Sequence, residues 1–189
     1  MVHIVPHWNF NGMEGQKIAV TVYTNCDELE LFLNGESLGR KSIEKYGHGE
    51  WDVVYVPGTV EAKGYRNGEE VANHKRVTTG KPKTLRLTMD NVCGGNGRDV
   101  ALFTCECLDE NGNVVPNAAE FVSFSVQEPA VILGTGSDHC DHNNVTLPER
   151  KMYMGKIRIA VKPAKDQRSL TLTAISDNCG CTSIHVELL

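Results

Sequence analysis

Apolar and polar residues alternate with a period of two in one segment after another. Ile18, Val20 and Val22 are interleaved with Lys17, Ala19 and Thr21, and Leu29, Leu31 and Leu33 with Glu28, Glu30 and Phe32. The pattern returns at Leu85-Leu87-Met89, Val122-Phe124-Val126, Ile157-Ile159-Val161, Leu170-Leu172-Ala174 and Ile184-Val186-Leu188. Successive side chains of a strand point to opposite faces, so each segment can bury one face and wet the other, as antiparallel sheets do. No window of eleven or more residues carries an apolar stripe of helical period.

Asn-Gly, which accepts the positive φ angles of tight hairpins, occurs at Asn11-Gly12, Asn34-Gly35, Asn67-Gly68, Asn96-Gly97 and Asn111-Gly112. Three of these predict hairpins. Glu30–Leu33 turns into Glu36–Arg40, Glu61–Tyr65 into Glu69–Val77, and Cys105–Leu108 into Val114 and Val115. Short strands at this spacing predict an all-β chain of β-sandwiches. The polar stretch Thr78-Thr79-Gly80-Lys81-Pro82 marks a boundary, giving two consecutive immunoglobulin-like β-sandwich domains over residues 1–80 and 81–189. Residues 134–155, rich in Gly, Asp, His, Asn and Pro, read as a long loop.

Composition narrows the function. The chain has 189 residues, too few for a complete (β/α)₈ barrel. Its net charge of -5 argues against a nucleic-acid partner, which needs a clustered basic face, and no apolar run approaches the length of a membrane-spanning helix. Seven cysteines, an odd number, argue against a disulfide framework. Cys105 and Cys107 share a strand face with Ala101 and Phe103 and read as small core hydrophobes. Cys93, Cys140, Cys179 and Cys181 lie in turn-rich sequence, exposed, paired or neither.

Longer motifs carry a resemblance. Pro6-His7-Trp8-Asn9 followed by Gly12 and Glu14-Gly15, then Val22-Tyr23-Thr24-Asn25, Glu28–Gly35, Ser37-Leu38-Gly39-Arg40, Trp51-Asp52-Val53, Pro57-Gly58-Thr59, Ala62-Lys63-Gly64-Tyr65 and Thr79-Gly80-Lys81-Pro82 span the first half. In the second half stand Asp109-Glu110-Asn111-Gly112-Asn113-Val114-Val115-Pro116, Val122–Val126 and Ile132-Leu133-Gly134. Together they resemble the C-terminal accessory region of bacterial β-galactosidases of glycoside hydrolase family 2. Where that family commonly continues with an Asn-Gly-Asp loop, this chain has Thr135-Gly136-Ser137-Asp138-His139-Cys140-Asp141-His142. The second half also resembles the immunoglobulin-like repeats of bacterial adhesins.

The resemblance implies a parent glycosidase whose two catalytic glutamates come from a barrel that this chain lacks. Non-catalytic sandwiches that pack within the parent are therefore expected, with the barrel and the N-terminal domains as partners. A carbohydrate-binding module, with carbohydrate as partner, or an adhesin-like spacer is the alternative. The module-entry motif begins almost at Met1, which reads as a chain cut from a longer one. The parent is expected in the periplasm or outside the cell. No catalytic, cofactor-binding or metal-ligating residue is assigned, and no cofactor, nucleic acid or membrane partner is expected. Glu28, Glu30, Glu61, Glu69 and Glu70 read as solvated sheet surface. Asp138–His142 reads as a hydrated loop, with a metal site as its alternative, and Cys179-Gly180-Cys181 as a turn. Trp51 is placed in the core with Val53 and Tyr55, Tyr46 on an exposed loop, and an exposed apolar patch is expected around His7, Trp8 and Phe10.

Overall fold

The computed structural model describes residues 1–138 and 142–189. Every element among them is a β-strand, and the chain divides into two compact units, Met1–Thr78 and Thr79–Leu189.

The first unit is a sandwich of seven strands: β1 (Val2–Val5), β2 (Lys17–Thr24), β3 (Glu28–Leu33), β4 (Glu36–Ser42), β5 (His48–Val54), β6 (Thr59–Arg66) and β7 (Glu69–Val77). One sheet has the order β1-β2-β5 and the other β4-β3-β6-β7, with every pair antiparallel. The predicted apolar faces turn inward. Ile18, Val20 and Val22 meet Leu29, Leu31, Val60 and Ala62 in one core, which Trp51, Val53 and Tyr55 complete. The edge strand β4 is exposed along its whole length, and its Arg40 and Lys41 discourage pairing with another chain.

The second unit holds β8 (Thr84–Met89), β9 (Ala101–Leu108), β10 (Phe121–Val126), β11 (Val131–Gly136), β12 (Glu149–Lys151), β13 (Lys156–Lys162), β14 (Ser169–Ser176) and β15 (Gly180–Glu187). Its sheets run β12-β10-β14-β15 and β11-β13-β9-β8. Ala101, Phe103, Cys105 and Cys107 are all fully buried on one face of β9, and pack with Ile157, Ile159, Leu170 and Leu172. Cys93 and Cys179 are buried as well, whereas Cys181 is exposed.

Two of the predicted hairpins form as strand pairs, β3–β4 and β6–β7, each with one register shift, with Asn34 and Asn67 both at φ 52° and glycine at a positive φ after each. The third is slighter. Val114 makes an isolated bridge to Leu108, and the Val115 N–H donates to the Cys107 carbonyl.

The stretch 134–155 is not wholly loop. Its start belongs to β11, and the short strand β12 crosses it and pairs with β10. The physical reason is Arg150, 3% exposed, whose guanidinium donates to the Thr135 hydroxyl and carbonyl and to the Asn144 carbonyl. An arginine in a polar stretch carries no strand signal, yet here it ties the stretch to β11. His139, Cys140 and Asp141 lie outside the described residues.

Trp8, whose alternatives are core or interface against ligand contact, falls in the core. Instead of leaving an apolar patch open, it is 1% exposed and completes its own unit's core, packed edge-on to Tyr55 with ring centroids 5.1 Å apart. Its indole N–H donates to the Val56 carbonyl at 3.0 Å. A large aromatic with its one polar atom satisfied is more stable buried than exposed, and the β5–β6 connection supplies the acceptor.

Candidate functional site

Several of the carboxylates are held in surface ion pairs. Glu28 pairs with Arg40 at 2.6 Å, Glu61 with Lys75 at 3.3 Å, Glu70 with Lys63 at 3.1 Å, and Glu106 with both Arg86 at 2.6 Å and Lys156 at 2.8 Å. Glu30 accepts from the Ser37 hydroxyl at 2.6 Å and the Tyr65 hydroxyl at 3.0 Å, bonds that hold its carboxyl below the usual range. Hydrolysis of a glycoside needs one carboxyl that keeps its proton to act as general acid. Glu30, Glu70 and Glu106 are all shifted the opposite way.

The two core thiols of β9 are equally unsuited to nucleophilic work. Burial pushes Cys105 up to about 12, and burial together with its contact to Cys179, Sγ to Sγ 3.6 Å, pushes Cys107 up to about 12. Nucleophilic attack needs the thiolate, which such values suppress. Among the described residues no group of three or more His, Cys, Asp or Glu side chains could hold a metal ion.

Of the aromatic residues considered for sugar contact, Tyr46 stands 92% exposed beside Lys45. Trp51 borders a groove of about 520 Å³ with Leu38, Lys41, Glu50 and Asp52, but it is 7% exposed. The Lys41 ammonium sits 4.7 Å from its ring centroid. That leaves the ring without the open face on which a sugar stacks.

One cluster is arranged differently, and the sequence reading passed over most of it. In β7 the residues Ala72, His74 and Arg76 register opposite Gly64, Ala62 and Val60, so they stand on the inward face at the sandwich edge. There they meet β1. The Ile4 N–H donates to His74 Nδ1 at 3.0 Å, and Arg76 Nε donates to the Ile4 carbonyl at 3.3 Å. The outer edge of β1 is thus satisfied by two side chains rather than by another strand. His3 stacks on His74 with ring centroids 4.9 Å apart. His7 stacks on Phe10 at 4.9 Å, and its Nδ1 accepts the Asn9 N–H at 3.1 Å.

Burial and then the Arg76 charge hold both His7 and His74 below the usual histidine range, with His3 adding to the effect on His74. Burial alone lowers Arg76, and no carboxylate contributes to any of the three. The signal in the sequence was small but present: His74 and Arg76 fall two apart on a strand whose inward positions should be apolar.

The comparisons with known proteins follow the division of the chain. Residues 15–72 match the family described as Domain of unknown function (DUF4982), and residues 85–185 match the family described as Glycoside hydrolase family 2 C-terminal domain 5. The chain is similar to the beta-galactosidase BoGH2A of Bacteroides ovatus, 36% identical over 187 residues, which cover 94% of this chain and 21% of that protein. It is similar to a putative beta-glucuronidase of Formosa agariphila, 31% identical over 206 residues, with 100% of this chain and 20% of the relative covered. Among solved structures it superposes on a beta-glycosidase from Bacteroides vulgatus with a TM-score of 0.92 at 30% identity, covering 99% of this chain and 24% of that one. The chain therefore spans about a fifth of the length of the curated relatives it matches.

Proposed function

The chain belongs to the glycoside hydrolase family 2 C-terminal domain 5 family, and from that membership we propose that it is a non-catalytic part of a glycosidase, serving to pack within the larger enzyme. The parent, in this reading, hydrolyses O-glycosidic bonds and is of β-galactosidase type, as the Bacteroides ovatus relative is named. The supporting observation is one of proportion. A chain matching about a fifth of each glycosidase relative carries carboxylates spent on surface ion pairs, while its apolar faces close two separate cores. Both sandwich units fit a scaffold whose surface chemistry, rather than a cleft, does the work.

The purified chain should not turn over nitrophenyl galactoside or nitrophenyl glucuronide. Activity that persists through repurification and follows the chain's elution profile would defeat the reading. In the whole parent, deleting this region should lower the thermal midpoint or disturb assembly. A deletion that left stability and assembly untouched and abolished only polysaccharide binding would favour a carbohydrate-binding role instead.

A further inference from the structure

We propose that the Arg76 guanidinium, held with His74 against Ile4 at the β1–β7 edge and with His7 nearby on the segment that follows β1, is a docking site for a carboxylate side chain, an Asp or Glu of the remainder of the parent chain. The inference rests on the packing role argued above and names the chemistry of one contact within it.

Three features of the cluster lead to this assignment. The first is the tautomer of each imidazole. His74 Nδ1 accepts the Ile4 N–H and His7 Nδ1 accepts the Asn9 N–H, so in each neutral ring the proton stands on Nε2. Backbone donors thereby leave each neutral ring with Nε2–H as its donor. The second is Arg76 itself. Its Nε is committed to the Ile4 carbonyl, which orients the planar fork, while neither terminal nitrogen has an ion pair or hydrogen bond among the described residues. A half-buried guanidinium without a counter-charge is costly, and a bidentate carboxylate is the partner its geometry matches.

The third is charge balance. The net charge of the chain is -5, and other cations of the first unit, Arg40, Lys63 and Lys75, each hold a carboxylate. Acidic groups are plentiful and pair with these three, yet none acts on His7, His74 or Arg76. Donors without an acceptor, set at a sheet edge, fit an acceptor carried by another part of the molecule.

The test has two arms. In the first, the 189-residue chain labelled with ¹⁵N is titrated with sodium acetate, the bare side-chain carboxylate, against sodium chloride at equal ionic strength. The side-chain resonances of His7, His74 and Arg76 should shift saturably with acetate and not with chloride. Arg76→Gln should weaken that response at least tenfold with its backbone amide spectrum otherwise retained. In the second arm, hydroxyl-radical footprinting compares His7 and His74 in the chain and in the full-length parent, where both should be protected, and Arg76→Gln in the parent should restore their reactivity.

Protection in the parent with no acetate response would overturn the carboxylate assignment and leave the packing role standing. Acetate binding with both histidines equally reactive in the parent would overturn docking and assign the site to a soluble acid, for which glucuronate replaces acetate as the probe. Absence of protection anywhere along residues 1–189 in the parent would sink the packing role itself.

Discussion

At the scale of single residues, polar side chains hold the units together where the apolar pattern gives out. Asp109, 3% exposed, accepts hydrogen bonds from the N–H groups of Gly80, Asn111 and Asn113, each at 2.9 Å. Burial works against its charge, but the bonds from Gly80 and Asn113 lead those that outweigh it and hold the carboxyl below its usual range. Asp109→Ala would strand three donors, and the expected loss is about 1–3 kcal/mol of stability, read from denaturant unfolding by far-UV circular dichroism. An unchanged midpoint would mean that water replaces the carboxylate without penalty. His7 and His74 set a pH dependence opposite in sign to that of a histidine held in a salt bridge. Both are held below the ordinary value, so near and below about pH 6.5 the unfolded chain binds more protons than the folded one. Stability of the first unit is then fully present above that pH and falls as the pH drops through the lower folded values. His3 and Arg76 face these rings, and no carboxylate there offsets the protonation. The urea midpoint followed by Trp fluorescence should fall between about pH 7.5 and about pH 5.5. His7→Gln combined with His74→Gln should flatten that slope.

At the scale of the element, the strand faces were legible because burial on one side of a sheet writes a period of two into the sequence, and Asn-Gly writes in the turn. Ile18-Val20-Val22 and Ile157-Ile159-Val161 are buried as read. The strands β1 and β12 were not legible. They have four and three residues, too few for a period, and rest on long-range partners: the His74 and Arg76 side chains for Ile4, and the Arg150 network for β12. The same limit hid the β1–β7 cluster, since nothing local links Ile4 to residues seventy positions on. The turns allow a sharper check. Gly35 has φ +87° with nothing within 4 Å of a built Cβ, so Gly35→Ala carries only the conformational cost, about 1 kcal/mol. Gly58 has φ +141°, and a Cβ there would stand 1.9 Å from the Asn34 side-chain oxygen, which accepts the Thr59 N–H at 2.8 Å. Gly58→Ala should therefore cost clearly more than Gly35→Ala, because it also breaks the tie between the β3–β4 turn and β6. Equal midpoints for the two variants in Trp-monitored unfolding would contradict this placement of Asn34.

At the scale of the whole molecule, the two units are separate in sequence, in core and in family. The cores share no residue, the first drawing on Val2–Ala62 and the second on Leu85–Cys179, and the two family matches, 15–72 and 85–185, each fall inside one unit. Such an organisation gives each unit a core of its own. It also makes cooperativity measurable, because both tryptophans, Trp8 and Trp51, belong to the first unit while strands of both contribute to the circular dichroism. Phe103 is fully buried in the second core, so Phe103→Ala should destabilise that unit by about 3–5 kcal/mol. The loss should appear as an early phase in the circular dichroism of a denaturant titration, with the Trp fluorescence midpoint unmoved. If fluorescence shifted in step with the dichroism, the units would unfold as one body, and the apolar cores, though distinct, would be coupled through surfaces outside them.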